Sequence, residues 1–172
     1  FFSLSQIFIT SSFNKKSVFS IWSDIFRHKI NLIYLVPSIY SIITNFAHPK
    51  AANIIKKNKI KFLSTSNFLY PSIRKYFYKK FNTKIKSCYG ITELGGPLTN
   101  EINANLQNDS VGKLIKGCKI KIKEINKKNF IFIKSDYMCE SLLIAGKEKK
   151  IQLDKDGYYN SMDTGYIQNN NI

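Results

Sequence analysis

The stretch Cys88-Tyr-Gly-Ile-Thr-Glu-Leu-Gly-Gly96 gathers the residue types that handle a phosphorylated ligand. Glycines let the backbone turn sharply and approach a ligand closely. A threonine hydroxyl can donate to a phosphate oxygen, a glutamate can hold a magnesium ion, and a tyrosine ring can cover a base. Thr92, Glu93 and Tyr89 supply these groups within a few positions of one another. The same composition also describes a plain turn, and residue types alone do not separate the two readings. Asp163, among the glycines and tyrosines of a later loop, likewise reads either as a ligand carboxylate or as a turn former.

The elements that must position these residues follow from apolar spacing. Ser17, Val18, Phe19, Ile21, Trp22, Ile25 and Phe26 recur at helical intervals over 17–29, and Arg27, His28 and Lys29 close that helix. Asn31-Leu-Ile-Tyr-Leu-Val36 has the length and texture of a buried strand, and Pro37-Ser38 opens another helix. Residues 60–63 form the next expected strand, leading into the polar loop Ser64-Thr65-Ser66-Asn67. Pro71-Ser72 opens a helix through Phe81, and Lys84-Ile85-Lys86 begins a strand that feeds the Cys88–Gly96 stretch. Alternation of this kind implies a parallel α/β sheet. From Val111 onward short alternating runs take over, Lys119-Ile-Lys-Ile-Lys-Glu-Ile125 and Phe130-Ile-Phe-Ile133 about the turn Asn126–Asn129. They predict an antiparallel, barrel-like segment. The expected division is an α/β subdomain over 1–109 and a β-barrel-like subdomain over 110–172.

The chain of 172 residues carries 27 Lys and Arg against 11 Asp and Glu, a formal charge of +16. A basic nucleic-acid-binding module would gather such charge on one face and interleave it with exposed aromatics. Here the lysines fall in scattered pairs such as Lys56-Lys57 and Lys79-Lys80, and most Phe and Tyr fall on predicted core faces. No specific nucleic-acid partner is expected. Cys88, Cys118 and Cys139 are odd in number and far apart, which argues against a zinc site or disulfide framework and fits a reducing cytoplasm. The apolar start, Phe1–Thr10, has no basic leader, so no signal peptide is expected. The run 30–44 is shorter than the roughly 20 residues of a membrane span. His28 and His48 read as a helix-end cation and a loop residue.

Tyr89-Gly-Ile-Thr-Glu93 resembles the YGxTE motif of the adenylate-forming (AMP-binding) superfamily, which includes acyl-CoA synthetases, peptide-synthetase adenylation domains and luciferases. Four further segments follow the family's order. Ser110-Val-Gly-Lys-Leu-Ile-Lys-Gly-Cys118 resembles its "SVGKPLPG" segment, and Asp154-Lys-Asp-Gly-Tyr-Tyr-Asn-Ser-Met-Asp-Thr-Gly-Tyr166 resembles "DEDGWFHTGDLGY". Val36-Pro37 and the loop 64–69 stand where the family has its "VP" helix start and "SGGAPL" loop.

The resemblance implies a ligase that joins a carboxylic acid to ATP as an acyl-adenylate and passes the acyl group to a thiol, that of coenzyme A or of a carrier protein. Carried over by position, Tyr89 would stack on adenine, Thr92 would bond the α-phosphate region, and Glu93 would bind magnesium. Asp163 would accept the ribose hydroxyls. Thr65, Ser66 and Asn67 would border adenine and the acyl pocket, with Cys88, Gly90 and Gly95 on the opposite wall. Ile91 stands where peptide-synthetase domains commonly have proline, which points towards the acyl-CoA synthetase branch.

Departures accompany the matches. The family's phosphate loop is expected before residue 1, and its C-terminal domain with the catalytic lysine beyond Ile172, so the chain reads as a fragment, inactive by itself. Met162 takes the glycine of the "TGD" triplet, Thr65-Ser66 replace two loop glycines, and residues 134–147 match the family's "GELxVRGPxVxxGY" strand poorly. A degenerate, non-catalytic relative with a narrowed nucleotide site is the alternative.

Overall fold

A computed structural model describes residues 15–106, 109–168 and 172, with side chains described from residue 20 onward. The apolar start therefore lies outside the described residues. Helix α1 (Lys15–Arg27) buries Trp22 and Ile25, and the Trp22 indole donates to the Ile43 carbonyl at 3.0 Å. Strand β1 (Leu32–Leu35) leads through extended Val36 into helix α2 (Pro37–Asn45), where Pro37 fits the first turn because it needs no N–H partner. Helix α3 (Ala51–Lys57) is an addition to the elements read from sequence. Strand β2 (Lys61–Ser64), helix α4 (Pro71–Phe81) and strand β3 (Ile85–Ser87) follow, and Asn82 ends α4 in a left-handed conformation.

The three strands pair in parallel in the order β1-β2-β3, with Ile33 opposite Phe62 and Phe62 opposite Ile85. These three side chains form one buried row, and the helices supply the rest of that core. At its centre Phe77 meets Phe62 and Phe81 at ring separations of 4.9 and 4.7 Å. Tyr40 is fully buried there, and its hydroxyl donates to the Leu63 carbonyl at 2.7 Å, which satisfies its one polar group.

A buried ion pair sits at the end of this core. Arg74, on the same face of α4 as Phe77 and Phe81, donates through Nη1 to Glu101 Oε2 at 2.8 Å and to the Ile85 carbonyl at 3.1 Å. The same Glu101 oxygen accepts the Ser87 N–H at 2.7 Å, while Oε1 accepts the Asn105 N–H at 3.2 Å. Arg74 Nη2 reaches the Ser110 carbonyl at 3.4 Å. One salt bridge thus joins α4, β3 and the segment entering the antiparallel half.

Four short strands follow the sheet: β4 (Gly90–Ile91) pairs with β5 (Gly96–Pro97), and β6 (Thr99–Asn100) with β7 (Lys113–Leu114). Then β8 (Cys118–Ile125) and β9 (Lys128–Ser135) make a full hairpin about Asn126 and Lys127. Both turn residues have positive φ, 51° and 61°, as a tight hairpin turn requires. A second hairpin, β10 (Ser141–Ile144) and β11 (Lys147–Lys150), and strand β12 (Tyr159–Thr164) complete the chain. β12 pairs with the free side of β9, giving the antiparallel order β12-β9-β8. Ile131 and Ile133 of β9 pack with Leu94 and Leu98 in a second core. The observed class is a parallel α/β unit followed by antiparallel sheets, as the alternation predicts.

Candidate functional site

Tyr89 leaves the end of β3 and is fixed by the backbone around it. Its N–H donates to Thr99 Oγ1 at 2.9 Å, and its carbonyl accepts the N–H groups of Leu98 and Thr99. The fully buried Thr99 hydroxyl donates in turn to the Val111 carbonyl at 2.7 Å. Gly90 follows because nothing larger fits: a Cβ there would stand 2.5 Å from the Gly96 carbonyl oxygen. The Tyr89 ring therefore projects from a rigid mount.

Strand β12 brings the second motif to the same place. Asp154 opens the preceding turn, accepting the N–H groups of Asp156 and Tyr158 at 3.0 and 2.9 Å. Lys123 beside it at 2.6 Å, aided by the Tyr158 N–H, holds its carboxyl well below the usual carboxylate range. The register against β9 then shifts between Asn160 and Thr164. Asn160 Oδ1 accepts the Met162 N–H at 3.0 Å, and Ser161 Oγ accepts the Asp163 N–H at 3.2 Å. Met162 itself adopts φ 63°, so this bulge re-aims the next side chain. Asp163 turns toward Tyr89, whose hydroxyl donates to its Oδ2 at 2.6 Å. Burial, then this carboxylate, pushes the Tyr89 pKa well above its ordinary value.

The bond closes one side of a cavity of about 660 Å³. Ser66, Asn67, Cys88, Tyr89, Gly90 and Asp163 line it, together with Phe68, Asp109 and Tyr166. Its volume falls in the range of small-molecule sites, and its aromatic walls with a few convergent polar groups are their usual lining. Cys88 is buried and its thiol lies 3.5 Å from the Ser64 carbonyl. Thr65, Thr92, Glu93 and Gly95 stand outside the lining, Gly95 because it caps the turn that follows Ile91. Thr65 pairs its N–H with the Leu35 carbonyl, and Thr92 is exposed at the start of a single 3-10 turn, Thr92–Leu94. Glu93, half-buried in that turn, accepts the Tyr159 hydroxyl through Oε1 at 2.6 Å. Among the described residues no group of three or more His, Cys, Asp and Glu could hold a metal by protein ligands alone. A lone carboxylate still fits magnesium, which commonly takes one or two carboxylates and completes its shell with phosphate oxygens and water.

The two departures from the resembled motifs have a geometric outcome. Ser66 and Met162 both keep the left-handed backbone natural to glycine, at φ 68° and 63°. The Met162 side chain is 70% exposed and does not line the cavity, whereas Ser66 does. Substituting Met162→Gly is expected to raise stability by about 0.5 kcal/mol, and Met162→Val to lower it by about 1 kcal/mol, because a β-branched residue tolerates that backbone least. Urea unfolding of the two variants checks this.

Sequence reasoning missed several residues that build the site. Thr99 clamps Tyr89, but nothing in its spacing marks it. Arg74 at helical spacing from Phe77 and Phe81 carried a signal, since a cation on an apolar face must find a buried partner. Tyr159 lies inside the Asp154–Tyr166 motif, where its hydroxyl had no assigned use. The expectation that most aromatics occupy core faces fails for tyrosine: Tyr34, Tyr70, Tyr76, Tyr78, Tyr137 and Tyr166 are exposed. On α4 the reason is local, because Phe77 and Phe81 fill the buried face and leave Tyr76 and Tyr78 outward among lysines. His48 accepts the Lys50 N–H through Nδ1 at 3.1 Å and meets the Phe26 ring edge-on, a structural arrangement. No described helix is long and apolar enough to cross a membrane, and all three cysteines are free.

Comparison with known proteins follows the same lines. The family model described as AMP-binding enzyme matches residues 3–131. The anthranilate CoA ligase AuaEII, solved with anthranoyl-AMP, superimposes with a TM-score of 0.70 at 16% identity, covering 90% of this chain and 31% of that one. ATP-bound MatB from Rhodopseudomonas palustris gives a TM-score of 0.69 at 16% identity, covering 91% and 31%. A long-chain-fatty-acid-CoA ligase (FadD1) from Archaeoglobus fulgidus gives 0.65 at 15% identity, covering 90% and 35%. The chain thus spans about a third of the length of these structures, and at such identity the likeness shows the fold. No curated protein sequence matches it.

Proposed function

The chain belongs to the family of AMP-binding enzymes, and on that premise we propose that it forms the adenosine-holding part of an ATP-dependent, acid-activating ligase of the acyl-CoA synthetase type. The observation that carries this reading is the Tyr89–Asp163 bond, which joins two motifs across one cavity. The Tyr89 ring supplies a face for adenine. Asp163 accepts the ribose hydroxyls, and its two oxygens leave room for them beside the tyrosine donor. Ser66 and Asn67 border the base, and Cys88 and Gly90 border the acyl pocket.

In the reaction the acid's carboxylate oxygen forms a bond to the α-phosphorus, and the bond from that phosphorus to the pyrophosphate oxygen breaks. A thiol, that of coenzyme A or of a carrier protein, then attacks the acyl carbonyl carbon and AMP leaves. Little covalent chemistry falls to the protein, so positioning and charge stabilisation dominate. Thr92 would donate to the α-phosphate, and Glu93 would hold magnesium, which offsets phosphate charge when bound. The division into 1–109 and 110–172 places Tyr89 and Asp163 on separate subdomains, so the nucleotide would bridge them. Free thiols suit a cytoplasmic setting.

The 172-residue chain is expected to bind AMP saturably and in preference to GMP, without catalysing acid-dependent pyrophosphate exchange. Calorimetric titration and an exchange assay check the two halves of this expectation. Equal affinity for GMP and AMP would remove the adenine assignment, and robust exchange by the chain alone would remove the assignment of catalysis to a larger assembly.

A further inference from the structure

We infer that Tyr159 is a positioning residue that aims the Glu93 carboxylate, a role that rests on the reading of Glu93 as the magnesium-binding group. Glu93 occupies a 3-10 turn of three residues, a short element with little backbone bonding of its own. A flexible side chain on such a turn would lose rotamer freedom whenever it engaged a cation. Two bonds from the later part of the chain remove that freedom beforehand. The Cys139 N–H donates to the Glu93 carbonyl at 2.9 Å, which fixes the backbone. The Tyr159 hydroxyl donates to Glu93 Oε1 at 2.6 Å, which fixes the side chain.

The donor is itself well held. Tyr159 opens β12 with its Cα opposite fully buried Ile133 of β9, and it makes a further bridge to Leu153. Its hydroxyl therefore stands on a paired strand while the acceptor stands on a turn, so the strand sets the carboxylate's orientation. The arrangement is reciprocal to the first tyrosine–carboxylate bond. Tyr89 of the earlier motif holds Asp163 of the later one, and Tyr159 of the later motif holds Glu93 of the earlier one.

The test uses the 172-residue chain, with Mn²⁺ as the probe cation, and reads the gain in ATP affinity on adding Mn²⁺. Glu93→Gln should abolish most of that gain. Tyr159→Phe, which removes one oxygen and keeps the ring, should reduce it by about three- to tenfold, the range for one lost hydrogen bond. AMP affinity of Tyr159→Phe should stay at the wild-type value, which also reports that the variant is folded. If Glu93→Gln loses the Mn²⁺ effect and Tyr159→Phe retains it, the positioning role is wrong while the metal role of Glu93 survives. If Glu93→Gln itself retains the effect, both fall.

Discussion

Replacing Arg74 by alanine is expected to destabilise the chain by about 3–5 kcal/mol, the cost of stranding a buried charge without its partner. The side chains of Arg74 and Glu101 are only 1% and 5% exposed, so water cannot take over for the missing cation. Glu101 would still be held by the N–H groups of Ser87 and Asn105, and this keeps the loss within that range rather than above it. The Ile85 and Ser110 carbonyls would lose their donor as well. The damage should reach the site, because Ser87 and Ser110 flank the Tyr89 mount. Removing both charges by Arg74→Met with Glu101→Gln should cost less than Arg74→Ala, since no unpaired ion remains. Urea unfolding of the variants measures this, with exposed Lys75→Ala as a control within about 0.5 kcal/mol of wild type. An Arg74→Ala value near the control would mean that the pair is not buried in solution.

Substituting Asp163→Ala is expected to weaken AMP binding by about tenfold or more, as each hydrogen bond to a charged group contributes roughly 1.5–3 kcal/mol. Fold stability should change much less. Asp163 is exposed, and its side chain accepts one bond, from Tyr89, whose hydroxyl would turn to water in the open cavity. The bulge beneath it is built by Asn160 and Ser161 and does not need the carboxylate. Calorimetric titration gives the affinity and urea unfolding gives the stability. A variant that loses both together would show that Asp163 serves the fold rather than the ligand.

The sequence discloses elements wherever burial imposes a period. Ile33 lies in a continuous apolar run, while Phe62 and Ile85 alternate with Lys61 and Lys86 because one face of the parallel sheet is covered, and those strands were legible. The hairpin of β8 and β9 was legible for the same reason, through alternation about Asn126 and Lys127. Helix α3 escaped because seven residues leave only Ala51 and Ile55 buried, too few to mark a period. The hairpin of β10 and β11 escaped because most of its residues face solvent, which removes alternation. Strand β12 was hidden by its own geometry: Asn160, Ser161 and Met162 form a bulge, and a bulge breaks the two-residue repeat. At the site, Tyr89 and Asp163 were legible through the resemblance of their motifs to the family's, since residue types alone left a plain turn equally open. The groups that hold Tyr89 and Glu93 were not, since Thr99 and Tyr159 act through contacts that only the folded chain creates.

The most direct measurement is a double cycle between the ribose and the carboxylate. AMP and 2′,3′-dideoxy-AMP would be titrated into the wild-type chain and into Asp163→Ala. Wild type should lose about tenfold or more in affinity when the ribose hydroxyls are deleted, while Asp163→Ala should bind both nucleotides equally weakly. Equal sensitivity to the ribose hydroxyls in the two proteins would contradict the placement of adenosine in the cavity between Tyr89 and Asp163.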